Sequence, residues 1–330
     1  MKIAVTGATG FIGGYMVRGM AAAGHEVRAF VRPGRESALE VPPQLKDKVQ
    51  LHVGDLTDGE SVRGFSKDCQ FLIHLASAHD HFSQEHMQAV NVTGTEHLVR
   101  DCEENAPEDF QLINVASAVI GMPVYSYYRD SKRVQEKIVR ASSLRWGSFR
   151  PTLVYGEGDY RHTAPLLRKC GAEKGSYWVP HEGVSKINPV HVDDLVDVVR
   201  TFFDYERGRE DFRVFEIAGP AGVHFNDFVD LTIEATGGAV KRRNIPRRWI
   251  ERMIFLKGLF KDVTKERRGA GYFSLHHEHD IRPAQEELGF APRTFAQGIN
   301  EVAQGDWWRH EDPDGAAASG QAGRLGTGGV

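Results

Sequence analysis

Tyr128 and Lys132 lie four residues apart and are the side chains in this sequence best suited to moving a proton. On a helix that spacing puts phenol and ammonium on one face, within mutual reach. A phenol titrates near about 10 in water, which matches neutral pH poorly, and a nearby ammonium lowers that value. The chemistry that needs such a pair is hydride transfer to a carbonyl, where a nascent alkoxide must be protonated.

A second group of residues supplies the partner for that chemistry. Thr6-Gly7-Ala8-Thr9-Gly10-Phe11-Ile12-Gly13 falls between a first strand and a first helix, the context a dinucleotide-binding fingerprint requires. Gly7 permits a tight turn, Gly10 lets backbone approach a pyrophosphate, and Gly13 lets helix and strand pack closely. The helix N-terminus adds oriented N–H groups. Thr6, Gly7, Gly10, Phe11, Ile12 and Gly13 are therefore candidate cofactor contacts, and Lys132 would also donate to the nicotinamide ribose.

After the second strand, where a carboxylate would accept the ribose hydroxyls of NAD, the sequence reads Val31-Arg32. A guanidinium there holds a 2′-phosphate by charge-assisted hydrogen bonds, so NADP is favoured over NAD. Arg28 and Arg35 read as solvated cations.

The elements that must carry these residues alternate. Short apolar, β-rich runs begin at Lys2, Glu26, Val49, Phe71, Phe110 and Arg145, with helical segments at 11–23, 86–105 and 128–141. Runs without a polar alternation, such as Ile3-Ala4-Val5 and Phe71-Leu72-Ile73, suit parallel strands buried on both faces. The expected fold class is α/β, a doubly wound parallel sheet of the Rossmann kind, with a smaller, mostly helical C-terminal substrate lobe.

The expected dinucleotide-binding domain is 1–155, with 188–220 returning to it through a helix over 191–203 and a strand over 214–218. The lobe comprises 156–187 and 221–310. Within it, the segment 247–260 sets Trp249, Ile250, Met253, Ile254, Leu256 and Phe260 beside several cations. It reads as a helix packing on its own core, with docking at a membrane surface as the alternative. Residues 311–330, rich in Gly and Ala, are expected to form a disordered tail.

Composition narrows the partners. At 330 residues the chain can bury a sizeable core, and 41 basic against 45 acidic side chains leave no strong field for nucleic acid. Cys69, Cys102 and Cys170 are odd in number and far apart, which fits neither a disulfide framework nor a zinc site. They suit a reducing cytoplasmic compartment, as does the lack of a signal-like leader or an apolar membrane-span run. His79, His81 and His86, like His276, His277 and His279, lack further ligands and are taken as surface or loop histidines, so no metal is expected. No Gly-x-Ser-x-Gly elbow surrounds Ser117, so hydrolase chemistry has no support.

From Met1 to about Trp308 the sequence resembles the extended short-chain dehydrogenase/reductase family, also called the NAD-dependent epimerase/dehydratase family. The resemblance rests on the 6–13 fingerprint, Gly54-Asp55-Leu56, His74-Leu75-Ala76-Ser77, Asn91-Val92-Thr93-Gly94-Thr95, Tyr128 with Ser131-Lys132, Arg150 to Gly156, and His191-Val192-Asp193-Asp194-Leu195. The branch resembled is that of the dihydroflavonol reductases and 3β-hydroxysteroid dehydrogenases.

The resemblance implies Asp55 and Leu56 beside the adenine, Leu75, Ala76, Ser77 and Asn91 along the cofactor, and Pro151, Thr152 and Leu153 near the nicotinamide. It also implies that Ser117, just after the fifth strand, orients the reacting oxygen. Two departures bear on Ser117: the loop before Gly121 is one residue short of the family pattern, and the customary tandem serine is Ala116-Ser117.

The expected enzyme transfers hydride between NADP(H) and a secondary alcohol or ketone of a small, lipophilic substrate, with Ser117, Tyr128 and Lys132 as catalytic residues. The competing readings are a sugar-nucleotide epimerase or dehydratase whose cofactor never leaves, and a dinucleotide-binding sensor or scaffold without chemistry. Relatives that pair through two long helices suggest a homodimer, built here on 86–105 and 128–141.

Overall fold

A computed structural model of the chain describes residues 1–123, 125–205, 213–263 and 278–310. The expected tail at 311–330, and His276 and His277, lie outside the described residues.

The apolar runs form a seven-stranded sheet: β1 (Lys2–Thr6), β2 (Glu26–Val31), β3 (Val49–Val53), β4 (Phe71–His74), β5 (Gln111–Val115), β6 (Arg145–Pro151) and, later in the chain, a strand at Arg213–Ile217. Their order is 3-2-1-4-5-6 followed by Arg213–Ile217, and every pairing is parallel. The order reverses between β1 and β4, where Ile3 pairs with Val27 on one side and Phe71 on the other. In open α/β sheets, the crevice at such a reversal, beyond the C-terminal strand ends, is where ligands bind.

Every residue of β4 and β5 is buried, which explains why these strands show no alternation. Helix α1 (Phe11–Ala22) covers one face together with Val192–Tyr205, through a core that includes Met16, Met20, Leu195, Val199 and Phe202. Beyond the four-residue α2 (Gly59–Val62) and α3 (Gln84–Gln88), the opposite face is covered by α4 (Gly94–Asn105) and α5 (Tyr127–Ala141). Leu98, Cys102 and Val139 meet Leu72 and Leu112 there.

The helix expected over 86–105 is interrupted. A π-helical turn at Ala89–Thr93 joins α3 to α4 and turns Asn91 wholly inward, in keeping with the use of such turns at functional places.

The rest of the chain forms a third core, with Tyr155, Leu167, Phe228, Phe295 and Trp308 at its centre. Its strands are β7 (Val154–Tyr155), β8 (Ser176–Pro180), β9 (Lys186–Ile187), β10 (Val190–His191), β12 (Val223–His224) and β13 (Lys241–Ile245), Arg213–Ile217 being β11. They pair as two-stranded ladders: β10 with β7, β12 with β9 and β13 with β8. The helices of this part are α6 (Thr163–Cys170), α8 (Phe225–Thr236), α9 (Arg247–Gly258) and, after α10 (Arg282–Leu288), α11 (Phe295–Ala303), α7 being Val192–Tyr205; α10 instead packs Ala284 and Leu288 into the core of α1 and α7. The expectation that α9 packs on its own core is not met: none of its residues is buried, and Trp249, Met253 and Leu256 stand exposed.

Candidate active site

Thr6 ends β1 and ties two loops together. Its hydroxyl accepts from the backbone N–H of Leu75 and Ala76, both at 3.2 Å, and bonds His74 Nδ1 at 2.7 Å. The 6–13 turn is thereby locked to the end of β4 across the point of strand reversal. Gly7 sits at φ +68°, and a Cβ on it would lie 2.8 Å from the Ala76 nitrogen, so no other residue fits. A Cβ on Gly13 would strike the Gly7 carbonyl at 1.9 Å. Gly10, exposed before the first turn of α1, leaves the helix N-terminus open.

Helix α5 presents a buried polar face. Ser126 caps it by accepting from Arg129 N–H at 3.0 Å, and Asp80 accepts from Tyr128 N–H at 3.3 Å. Tyr128, Ser131, Lys132, Gln135 and Glu136 follow at helical spacing on the side facing the sheet. The phenol of Tyr128 is half-buried beside Ser77 and Ser117. Burial raises its pKa to about 12, against the pull of the Ser77 and Ser117 hydroxyls and of Arg161. Ser117 Oγ also accepts from Val119 N–H at 3.3 Å, capping the short turn at Ala118–Gly121. Ser77 Oγ is buried, close enough to act on the phenol, but outside hydrogen-bonding geometry with any protein partner.

Lys132 is 1 % exposed. Its Nζ donates to the Val115 carbonyl at 3.2 Å and to Gln135 Oε1. Burial lowers its pKa to about 7, with Glu136 opposing. Lys132 is not among the leading influences on the phenol, where the acting cation is Arg161. The amide of Gln135 extends the contact inward, meeting His74 Nε2 at 3.0 Å and Thr95 Oγ1 at 3.2 Å. Burial, then Lys132, lowers the pKa of His74 to about 3, so the ring is neutral and can accept that bond. A continuous polar chain thus runs from Lys132 through Gln135 and His74 to Thr6.

Several residues expected along the cofactor are committed to protein partners. Asn91 is fully buried, accepts from Ala78 N–H at 2.7 Å, and donates to Ala78 O and to Ser131 Oγ at 2.9 Å, so it braces the β4 loop against α5. Thr152 Oγ1 donates to the Asn188 carbonyl, and its N–H donates to Ile217 O at 3.0 Å. Asp55 turns its carboxylate onto Thr57, at 2.9 Å from the amide and 2.8 Å from the hydroxyl. Leu56 is buried, Leu153 is exposed at the edge and Pro151 ends β6. Arg32 is exposed where the chain leaves β2, whereas Arg28 is not a solvated cation: its guanidinium holds the carbonyls of Gly64, Phe65 and Lys67.

The composition-based reading missed His79. Its ring lies 4.8 Å from that of Tyr128, tilted by 30°, and 6.4 Å from that of His81. His79 is exposed, and desolvation by its neighbours first, then Arg161, brings its pKa down to about 4. Arg161 Nη2 lies 2.7 Å from His81. The buried carboxylate of Asp159 pins the turn carrying Arg161, accepting from the N–H groups of Arg161, His162 and Thr163. Among the described residues, no three His, Cys, Asp or Glu side chains gather as a metal site, and no helix is long and apolar enough to cross a membrane. A surface groove of about 500 Å³ on α8, lined by Val223, His224, Asp227, Asp230 and Glu234, shares no residue with this cluster.

The glycine turn, the orphaned Ser77 hydroxyl and the buried amine together fit a nicotinamide dinucleotide at the strand reversal. Comparison with known proteins agrees. The chain is 32% identical to the ceramide reductase of Caulobacter vibrioides (strain NA1000 / CB15N) over 193 residues, covering 58% of this chain and 57% of that protein. It is 29% identical to the 3-beta-hydroxysteroid dehydrogenase of Mycolicibacterium neoaurum over 184 residues, covering 48% of this chain and 49% of that one. The matched region thus spans only about half the length of these two curated relatives. The crystal structure of gox2253 shares the fold across 93% of this chain and 97% of its own, with a TM-score of 0.75 at 22% identity. The model of the NAD dependent epimerase/dehydratase family matches residues 3–218, and the chain belongs to that family.

Proposed function

We propose that this protein transfers hydride reversibly between NADP(H) and a secondary alcohol or ketone of a small, lipophilic substrate, with Tyr128 as general acid/base. The observation that carries the reading is the phenol itself, near the Ser77 and Ser117 hydroxyls at the C-terminal end of the sheet, on the same helix face as a buried lysine. The two relatives named above pair redox chemistry with a lipid or steroid, which supports a lipophilic substrate.

When bound, the nicotinamide supplies or accepts the hydride. The residues do the rest. The Thr6 to Gly13 turn and the open N-terminus of α1 receive the pyrophosphate. Arg32 takes the 2′-phosphate, Asp55 and Leu56 flank the adenine, and Leu75, Ala76 and Ser77 line the path to the ring. Pro151 and Leu153 bound the nicotinamide, while Asn91 and Thr152 act as positioning residues through the loops they brace. Two of the three N–H bonds of the Lys132 ammonium are engaged, leaving one for the ribose.

In the reduction direction, Ser117 orients the carbonyl and Tyr128 gives its proton to the forming alkoxide. An alkoxide is a far stronger base than phenolate, so a phenol protonated throughout the neutral range is in the right form to donate. The 156–187 and 221–310 lobe closes over the substrate and keeps water from the reacting carbon.

The test is to supply NADPH deuterated at the transferring position with a panel of lipophilic ketones. One deuterium in the alcohol for each NADPH oxidised is the expected result. Isomerisation of a sugar nucleotide with no net oxidation of cofactor would instead select epimerase chemistry.

A further inference from the structure

Helix α9 buries none of its residues. Trp249, Met253, Leu256 and Phe260 recur at spacings of four, three and four, which on a helix is a single stripe. All four face solvent, at 52%, 54%, 50% and 89% exposure. The helical path continues past Gly258, since Leu259 and Phe260 N–H bond back to the carbonyls of Leu256 and Lys257. Arg248 and Arg252 lie along one margin of the stripe, with Lys257 and Lys261 along the other, by the same helical geometry. Residues 247–262 hold five cations against two acids, in a chain whose net charge is −4. The helix is fastened near its start, where Arg247 N–H donates to the Glu182 carboxylate at 3.3 Å.

We propose that the α9 stripe docks on a membrane surface that carries anionic phospholipid, with the helix axis lying in the plane of the interface. Large apolar side chains on one face, with long cationic chains at both margins, match the two layers of such a surface: the apolar groups enter the acyl boundary while the cations reach back to the phosphates. Charge decides against the other occupants. Pairing two copies through this stripe would bring Arg248, Arg252 and Lys257 toward their own kind, and like charges facing each other oppose such a dimer. Residues 264–277 of the same chain bring Lys265, Arg267 and Arg268 against one acid, Glu266, again a net like charge.

The experiment is flotation of the full chain with phosphatidylcholine vesicles, alone or mixed with phosphatidylglycerol, reading the fraction that rises. The chain is expected to float with the anionic vesicles and about tenfold less with the neutral ones. Met253→Glu with Leu256→Glu, and separately Arg248→Glu with Arg252→Glu, are expected to cut flotation by a similar factor while the melting temperature holds, since all four side chains are exposed. Flotation with neither vesicle, or flotation unmoved by both pairs, overturns the proposal. So does a dimer, seen by light scattering, that Met253→Glu with Leu256→Glu dissociates. None of these outcomes reads hydride transfer, so the proposed reaction stands or falls separately.

Discussion

The imidazole of His79 packs, tilted by 30°, against the phenol of Tyr128 at 4.8 Å, joining the loop after β4 to the first turn of α5. The ring is neutral above about pH 4, so it meets the phenol as an uncharged aromatic neighbour and not as a charged partner. His79→Ala is expected to remove about 1 kcal/mol of positioning, roughly a fivefold loss in kcat. Burial is the main force raising the phenol's pKa, so the alkaline limb of the rate profile is expected to move to lower pH. Steady-state rates across the alkaline range measure both.

Lys132 makes stability depend on pH. Burial depresses its pKa from 10.5 to about 7, so between those values the unfolded chain binds a proton that the folded chain lacks. Stability therefore rises with pH across that window, and the cost of the buried charge is complete below 7. Lys132→Met is expected to stabilise the fold below pH 7 by roughly 2 kcal/mol, after the loss of donors to Val115 O and Gln135. The gain should fade toward pH 10.5, as measured by urea unfolding along a pH series.

Glu136 anchors the same helix to β6. Its carboxylate, 3% exposed, accepts from Arg150 Nε at 2.9 Å, Arg150 Nη2 at 2.5 Å and Ser148 Oγ at 2.9 Å. Burial pushes its pKa up, yet the Arg150 and Ser148 contacts outweigh that and hold it below the ordinary value. Glu136→Ala leaves Arg150 without its partner and is expected to cost about 3 kcal/mol at neutral pH. The difference from the parent should shrink as pH falls through the carboxylate range, in the same unfolding assay.

Arg32 is the cation placed to tell NADPH from NADH. Arg32→Ala is expected to weaken NADPH about tenfold, near 1.4 kcal/mol, and NADH hardly at all. Fluorescence titration of each dinucleotide checks it.

What could be read in advance followed the range over which the chain makes its contacts. The 6–13 turn and the Tyr128–Lys132 pair are local in sequence, and a turn or a helix suffices to place them. His79 is an exposed loop histidine, as expected, but its contact with Tyr128 was not legible because that partner lies 49 positions along, brought near only when β4 pairs beside β5. Gln135 carries no chemistry alone and gains it by bridging Lys132 to His74. Arg28 looked solvated because the carbonyls it holds belong to the loop before β4. The π turn at Ala89–Thr93 has no signature of its own, being the price of pointing Asn91 at both Ala78 and Ser131. The exposed face of α9 inverts the usual inference, since amphipathic spacing says which residues share a side and not what covers it.

In the proposed reaction the Tyr128 hydroxyl is the source of the proton, and Tyr128→Phe removes that oxygen while keeping the ring. With NADPH saturating and a reducible ketone present, the variant is expected to bind the dinucleotide within about twofold of the parent and to lose at least about a hundredfold in kcat. Turnover equal to the parent's, with binding intact, would contradict it.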